Sequence, residues 1–558
     1  MAYSKFRNES EVMAMLEASN SEEEGDISEF ENHTSNESES TSSEEESTIP
    51  ADTDSVSTIQ SKNGKILWKS DPPEQRGRFS AANIILNTPG VTRYAVTRVT
   101  DVKSSFETVF SSVIEKEIIK MTNIEGQKVY REKWKNVDHV TFEAYIGLLL
   151  LAGVYKSYRE STQSLWHKET GRNIFRATMS LENFLIISRV IRFDNKSTRQ
   201  ERRRTDKLAA IRDIWEKWVE VLPKLYNPDE NVTIDEQLVG FRGRCPFKQY
   251  IPSKPSKYGI KIWTLCDTKT SYVLKTQVYT GKEPGSKPEK NQGMRVVCDL
   301  TAELKGHNVT CDNFFSSYDC GQLLLKRKLT LLGTMRKNKP ELPQQMKNKE
   351  VHSSTFYFTE DTTVVNYVPK KNKNVVLMST LHHDKTISNR EDKKPQIILD
   401  YNATKGAVDT LDQLVATYTC KRKTSRWQVI IFYNMLDISA YNAFVIWCSI
   451  NTNWNENKLT KRRLFLEELG KALVMPLISS RKCVPRTQEA FSIVETVRSM
   501  SQDQSASGSS PSVAVAAVKR ARCKFCPSKN DNKTNMVCSK CKKHICKTHV
   551  SYYCPNCN

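Results

Sequence analysis

The hydrophobic period of this chain changes at Asn231 and changes back near Tyr418, and this double switch limits the folds open to it. Between about Asn83 and Pro228, apolar residues recur at intervals of three and four in FEAYIGLLLLAGVYKS, ENFLIISRVIRF and AAIRDIWEKWVEVL, a helical pattern. From Asn231 the pattern alternates: Val232 and Ile234 fall on one face of NVTIDEQL, with Thr233 and Asp235 on the other. The stretch YGIKIWTLCDTKTSYVLKTQVYTG reads as a hairpin turning at Asp267 to Thr270. A helix is predicted over about Gln292 to Leu304, a strand in HNVTC ending at Asp312, a helix through SYDCGQLLLKRK and a strand at LTLLGTM. Residues 338–394, with Pro340, Pro343, Lys-rich turns and two alternating runs, predict a small β-rich insertion. After it, QIILD reads as a short apolar strand. Long apolar helices resume from Tyr418 to Leu477. Strands interleaved with helices between two helical blocks predict an α/β layer fold with acidic residues gathered at one sheet edge.

The stretch TKGAVDTLDQL carries a specific cost. On a helix, Val408, Leu411 and Val415 form one stripe, and Asp409 and Asp412 share the strip beside it, with no basic residue one turn after either. Carboxylates bordering a buried face repel each other and are costly to desolvate, so a cation is expected nearby. Asp235, Asp312 and Asp409 lie far apart in the chain, yet a shared sheet edge can bring them together. Hard oxygen donors of this kind suit a pair of Mg²⁺ ions in phosphodiester chemistry. Spacing alone leaves alternatives open: Asp312 could cap the helix after it, and Asp235 could be a turn carboxylate.

A chain of 558 residues predicts three or four domains. Its net charge of +20 is uneven: residues 1–60 carry −14, leaving +34 on the rest. A basic, aromatic-rich body has nucleic acid as its leading partner class. The Ser/Glu-rich start has almost no apolar content, and the region 1–82 is expected to be disordered. Its Ser–Glu repeats invite acidophilic kinases; a solubilising or self-masking role is the alternative. The basic run RQERRRTDK (Arg199 to Lys207) reads either as a solvated loop or as a phosphate contact. No secretory or import leader opens the chain, so an intracellular protein is expected. The apolar stretch Val429 to Ile450 is interrupted by Asn434, Asp437 and Asn442, which predicts a buried helix rather than a membrane span.

Seven of the 15 cysteines crowd into the last 36 residues, after a Ser/Gly linker. Cys523, Cys526, Cys538, Cys541, Cys546, His549, Cys554 and Cys557 give eight ligands, enough for two tetrahedral Zn²⁺ ions. So short a segment has little core and needs metal to fold. Close spacing of the middle ligands predicts interleaving, with Cys523, Cys526, Cys546 and His549 on one ion and Cys538, Cys541, Cys554 and Cys557 on the other. His544 is left over, able to replace His549 in a shifted register. Ten Lys and Arg against one Asp from Lys519 onward suit phosphate contacts, and VKRARCK reads as part of a nuclear import signal or as a basic linker.

Four segments carry a family resemblance: TIDEQLVGFRGRCPFKQYIPSKPSKYGIKI, TCDNFFSS, LLGTMRKNKPELP and YNATKGAVDTLDQL. They resemble, in order, the piggyBac transposases, and the similarity runs from about Leu86 to the C terminus. That resemblance implies an RNase H-like catalytic core with Asp235, Asp312 and Asp409 as the Mg²⁺-binding triad and Asp412 as a further required carboxylate. It implies cut-and-paste transposition through hairpin intermediates, with joining at TTAA targets. Arg336 and Lys339 are expected near DNA, as is Trp427, which by its apolar setting alone would be core. The cysteine tail is expected to be a cross-brace domain binding double-stranded transposon-end DNA. A homodimer acting in the nucleus is expected. The implied division is a disordered region 1–82, a helical dimerisation and DNA-binding region in two parts (83–230 and 418–500), and a catalytic core in two parts (231–337 and 395–417). The β-rich insertion 338–394, a linker 501–518 and the zinc-binding domain 519–558 complete it. Two other functions compete: a domesticated descendant that binds DNA or chromatin without cutting, and a RING-like ubiquitin ligase module in the tail.

Overall fold

The computed structural model describes residues 58–74, 84–252, 254–281, 289–344, 346, 350–505, 521–527, 530, 532–536 and 544–549. Two compact units divide it at Val497, and the long first unit holds the sheet and the helices considered below.

The alternating segment forms an eleven-stranded mixed sheet. In chain order its strands are β1 (Thr58–Gln60), β2 (Leu67–Lys69), β3 (Asn231–Gly240), β4 (Lys248–Tyr250), β5 (Tyr258–Asp267), β6 (Val273–Val278), β7 (Asn308–Cys311), β8 (Thr330–Thr334), β9 (Ser354–Phe358), β10 (Thr363–Lys370) and β11 (Lys373–Ser379). Across the sheet the order is β1-β2-β9-β10-β11-β8-β7-β3-β5-β4, with β6 also paired to β5. The predicted hairpin at Asp267 to Thr270 joins β5 to β6 as antiparallel neighbours. β3, β7 and β8 run parallel, their connections made by α5 (Gln292–Leu300) and α6 (Tyr318–Lys326).

Three elements differ from the expectation. QIILD is the first part of a helix, α7 (Gln396–Thr404), rather than a strand. Pro395 sets its start, and Ile397, Ile398 and Tyr401 pack at helical spacing on a small apolar cluster with Phe358, Tyr367 and Leu377. A five-residue apolar window is too short to reveal that period. The insertion strands β9 to β11 extend the main sheet instead of forming one of their own, because β11 pairs antiparallel with β8. Order also begins before residue 82: β1 and β2 form a hairpin at the sheet end, where Trp68 is 1% exposed and packs edge-on against Tyr318. Acidic composition masked this one aromatic anchor.

The helical blocks that flank the sheet in sequence pack together. Helices α1 (Val102–Val109), α2 (Ser112–Tyr130), α3 (His139–Val154) and α4 (Arg212–Leu225) precede it. α8 (Ala407–Thr417), α9 (Trp427–Ile450) and α10 (Lys461–Ser480) follow α7. α3 and α10 cross at Gly147 and Gly470, where a Cβ on Gly147 would come within 2.9 Å of the Gly470 carbonyl oxygen. α9 is long and apolar enough to cross a membrane, but 89% of its apolar window is buried in the protein core, as its three polar interruptions predicted.

Candidate active site

Strand alternation sends Thr233, Asp235 and Gln237 to the same face of β3. Each has its own task there. Thr233 Oγ1 donates to the Thr404 carbonyl at 2.5 Å, and the Thr404 and Thr310 hydroxyls lie 2.8 Å apart, so the end of α7 is pinned to β3 and β7. Gln237 Nε2 donates to Asp412 Oδ1 at 2.6 Å, which seats α8 on the same face. Asp235 lies between these two anchors.

Parallel pairing of β3 with β7 ends at Ile234 and Cys311, and Asp235 and Asp312 follow directly, close enough for the Asp312 charge to act on Asp235. Asp312 sits in the turn after β7, where its Oδ1 accepts from the Phe314 amide at 2.9 Å. Ser317, rather than Asp312, caps α6, so the capping alternative does not account for this carboxylate. α8 carries Asp409 in its first turn and Asp412 one turn later.

These carboxylates strain one another electrostatically. Burial pushes the Asp235 carboxyl up to about 7, with the Glu236 and Asp312 charges adding to the rise. Asp312 is raised too, mainly by burial and then by Glu236, against the pull of Lys261 and Arg336. Burial lifts Asp412 to about 6, opposed by the Gln237 hydrogen bond and by Lys254. The cation predicted beside the Asp409–Asp412 pair is Lys254. Its Nζ lies 3.4 Å from Asp409 Oδ1 and donates to the Glu236 carbonyl at 3.0 Å. Burial works against its charge, yet Asp235, Asp409, Glu236 and Asp412 together hold its pKa above the ordinary lysine value. Lys254, Lys261 and Arg336 face the five carboxylates Asp235, Glu236, Asp312, Asp409 and Asp412, so acidic groups outnumber basic ones, and a hard divalent cation fits such an all-oxygen donor set.

Around this cluster, Arg336 is exposed and its Nε donates to Asn313 Oδ1 at 3.1 Å, next to Asp312. Its loop is held by the N-terminal hairpin. The Lys62 and Asn63 amides donate to the Leu342 and Pro340 carbonyls, each at 2.9 Å, and Trp68 Nε1 donates to the Glu341 carbonyl at 3.0 Å. Lys339 is half-buried in the same loop. Trp427 is 5% exposed with its ring edge-on to Phe247, so a direct DNA contact would require that ring to be uncovered. In the basic run after β-poor residues 180–198, Arg199 and Arg202 are committed to Asp194, while Arg203 and Arg204 are exposed.

In the tail, the donor atoms of Cys523, Cys526, Cys546 and His549 all lie within 4.8 Å of one another. Cys526 Sγ is 3.6 Å from both Cys546 Sγ and His549 Nδ1. Ligands about 2.3 Å from one tetrahedral zinc stand about 3.8 Å apart, so this Cys₃His set has the right span for the metal. Hydrogen bonds from Thr548 and His549 lower the Cys546 thiol to about 6, towards the thiolate a metal requires. His549 joins the set and His544 does not. Cys538, Cys541, Cys554 and Cys557 lie outside the described residues.

Sequence reasoning missed Lys254 and Gln237 as site residues. Neither has a local signal, since their partners are 155 and 175 residues away.

Known proteins similar to this chain include a family model, two curated relatives and a solved structure. A transposase family model described as Transposase IS4 matches residues 102–444. The human PiggyBac transposable element-derived protein 3 is 24% identical over 311 residues, covering 51% of this chain and 51% of that protein. The human Chimeric ERCC6-PGBD3 protein matches at the same identity over 29% of its length, so this chain spans about half or less of these curated relatives. A cryo-EM structure of a piggyBac transposase synaptic complex with hairpin DNA is similar with a TM-score of 0.68 and 34% identity, covering 85% of this chain and all of that one. With the family match spanning more than half its length, this chain belongs to the piggyBac family of transposases.

Proposed function

We propose that this protein is a Mg²⁺-dependent DNA transposase that cuts transposon ends and joins them to target DNA. The observation that carries this reading is the β3–β7 register, which sets Asp235 beside Asp312 on the face where α8 brings Asp409 and Asp412. The core is RNase H-like in this proposal, in keeping with three antiparallel strands, β3, β5 and β6, followed by two parallel ones, β7 and β8. Asp235, Asp312 and Asp409 would hold the metal pair, with Asp412 completing the acidic set. Mg²⁺ bound there would polarise the scissile phosphate and make a water or 3′-hydroxyl a better nucleophile. Lys254 balances charge when the metal is absent, and Arg336, oriented by Asn313, is placed to meet a phosphate. Family resemblance adds hairpin intermediates on the element and TTAA as target sequence.

The tail is proposed as a zinc-bound cross-brace that grips end DNA, with the described Cys₃His set as its first site and the four outer cysteines as its second. Residues 83–230 and 418–500 form the helical dimerisation and DNA-binding region. Homodimeric assembly and nuclear localisation belong to the same proposal; light scattering and imaging of a tagged full chain check them.

Strand transfer tests the reading. Purified protein, DNA from the flanks of its own genomic locus and a target plasmid are incubated in Mg²⁺, beside Asp312→Asn. Wild type joins ends at TTAA, whereas Asp312→Asn still binds the ends but joins about a thousandfold less, the scale of several kcal/mol of transition-state stabilisation. Equal joining by the two proteins removes the carboxylate assignment. Tight end binding without joining by wild type favours a domesticated DNA-binding protein instead. Chelating the tail's metal weakens end binding in the same assay; unchanged affinity after the zinc has been removed excludes the zinc grip.

A further inference from the structure

The three polar residues that interrupt the apolar run of α9 all dock on the catalytic layer or the segment leading from it. Asn442 takes both backbone groups of Val273 at 3.0 Å each, completing one position of strand β6. Asp437 accepts from the Cys420 amide at 2.8 Å and the Thr419 hydroxyl at 2.6 Å, fixing the chain as it leaves α8. Asn434 Nδ2 donates to Gln237 Oε1 at 2.9 Å, and Gln237 Nε2 donates onward to Asp412 Oδ1 at 2.6 Å. The third contact is different in kind, because it ends on a carboxylate of the active site.

We infer that Asn434 and Gln237 form a positioning relay through which helix α9 orients Asp412. An amide is asymmetric, with one accepting and one donating end. An ionised Asp412 only accepts, so Gln237 must turn its nitrogen towards it, and its oxygen then faces α9. Asn434 meets that oxygen with a donor, which makes the opposite amide orientation unfavourable. Gln237 is 2% exposed and Asn434 6%, so water is a poor substitute for either partner. Asp412 therefore has Oδ1 committed and its other oxygen available, held by a helix outside the sheet rather than by its own side-chain preference. Such outer partners commonly set metal affinity and activity by ten- to a hundredfold. The relay rests on the proposed metal site, in which Asp412 completes the acidic set beside the three ligands Asp235, Asp312 and Asp409. Gln237 and Asn434 act here as positioning residues that touch neither metal nor DNA.

The test is Mn²⁺ binding to the full zinc-loaded chain without DNA, followed by titration calorimetry, with thermal melting to establish that each variant is folded. Gln237→Met keeps the size of the side chain and removes both hydrogen bonds; Asn434→Leu removes only the outer one. Each weakens Mn²⁺ binding, Gln237→Met by roughly tenfold. Since the two residues act in series, the double variant binds no more weakly than Gln237→Met alone. A folded Gln237→Met that binds Mn²⁺ as tightly as wild type overturns the relay, as do losses that simply add in the double variant. If Gln237→Met does not fold, wild-type affinity in folded Asn434→Leu overturns it equally. Asp235→Asn and Asp409→Asn separate the relay from the reading beneath it. Unchanged Mn²⁺ binding in both would mean that the metal site itself is wrong, and the relay would fall with it.

Discussion

Lys254 is the cation that the acidic pair on α8 calls for. It answers the charge of Asp409 and Asp412, yet it comes from a loop 155 residues earlier in the chain. Its ammonium is shared among four carboxylates, of which Glu236 also pairs with Lys261 at 3.3 Å, so it reduces their repulsion without cancelling it. Replacing it by Met leaves the carboxylates uncompensated, and we expect a loss of about 1–3 kcal/mol of stability in metal-free protein. Adding Mn²⁺ narrows that loss, because the metal then supplies the charge. Denaturation of Lys254→Met and wild type with and without Mn²⁺ checks this; an identical deficit in both conditions contradicts a charge-balancing role. The need for a cation was legible in TKGAVDTLDQL, where two acids border an apolar stripe. Which cation was not, because Lys254 lies in a loop and meets the helix only through the tertiary fold, which local spacing does not reveal.

Elements were legible where their period was long enough. The hairpin of β5 and β6, the strand before Asp312 and the buried nature of α9 followed from alternation, turn residues and interrupted apolarity. α7 was misread because QIILD offers only five residues, and its helical face appears only with Tyr401 included. The β1–β2 hairpin was hidden by its acidic neighbourhood, although it holds the loop that carries Arg336 and Lys339. Trp68 is the anchor of that hairpin, 1% exposed against Tyr318. Trp68→Ala should cost about 3–5 kcal/mol locally and release the loop at 337–342. Limited proteolysis reads this as faster cleavage in that loop, and an unchanged cleavage rate would mean that the loop holds its own shape.

For the whole molecule, the arrangement joins distant stretches of chain on one face of the sheet. The parallel register aligns Asp235 with Asp312, α7 and α8 fold back over β3, and α9 reaches the same face through Asn434. Sequence alone singled out the acidic residues that the fold gathers; it could not show that the insertion strands extend the main sheet, since pairing partners leave no mark in a single strand. The central claim is that the assembled carboxylates form a metal centre acting on DNA. Anomalous scattering at the manganese edge, from crystals of the full chain with end DNA and Mn²⁺, tests it most directly. The account predicts peaks bounded by Asp235, Asp312 and Asp409, with Lys254 displaced from Asp409. Manganese absent from this cluster while DNA is seated at Arg336 would contradict it.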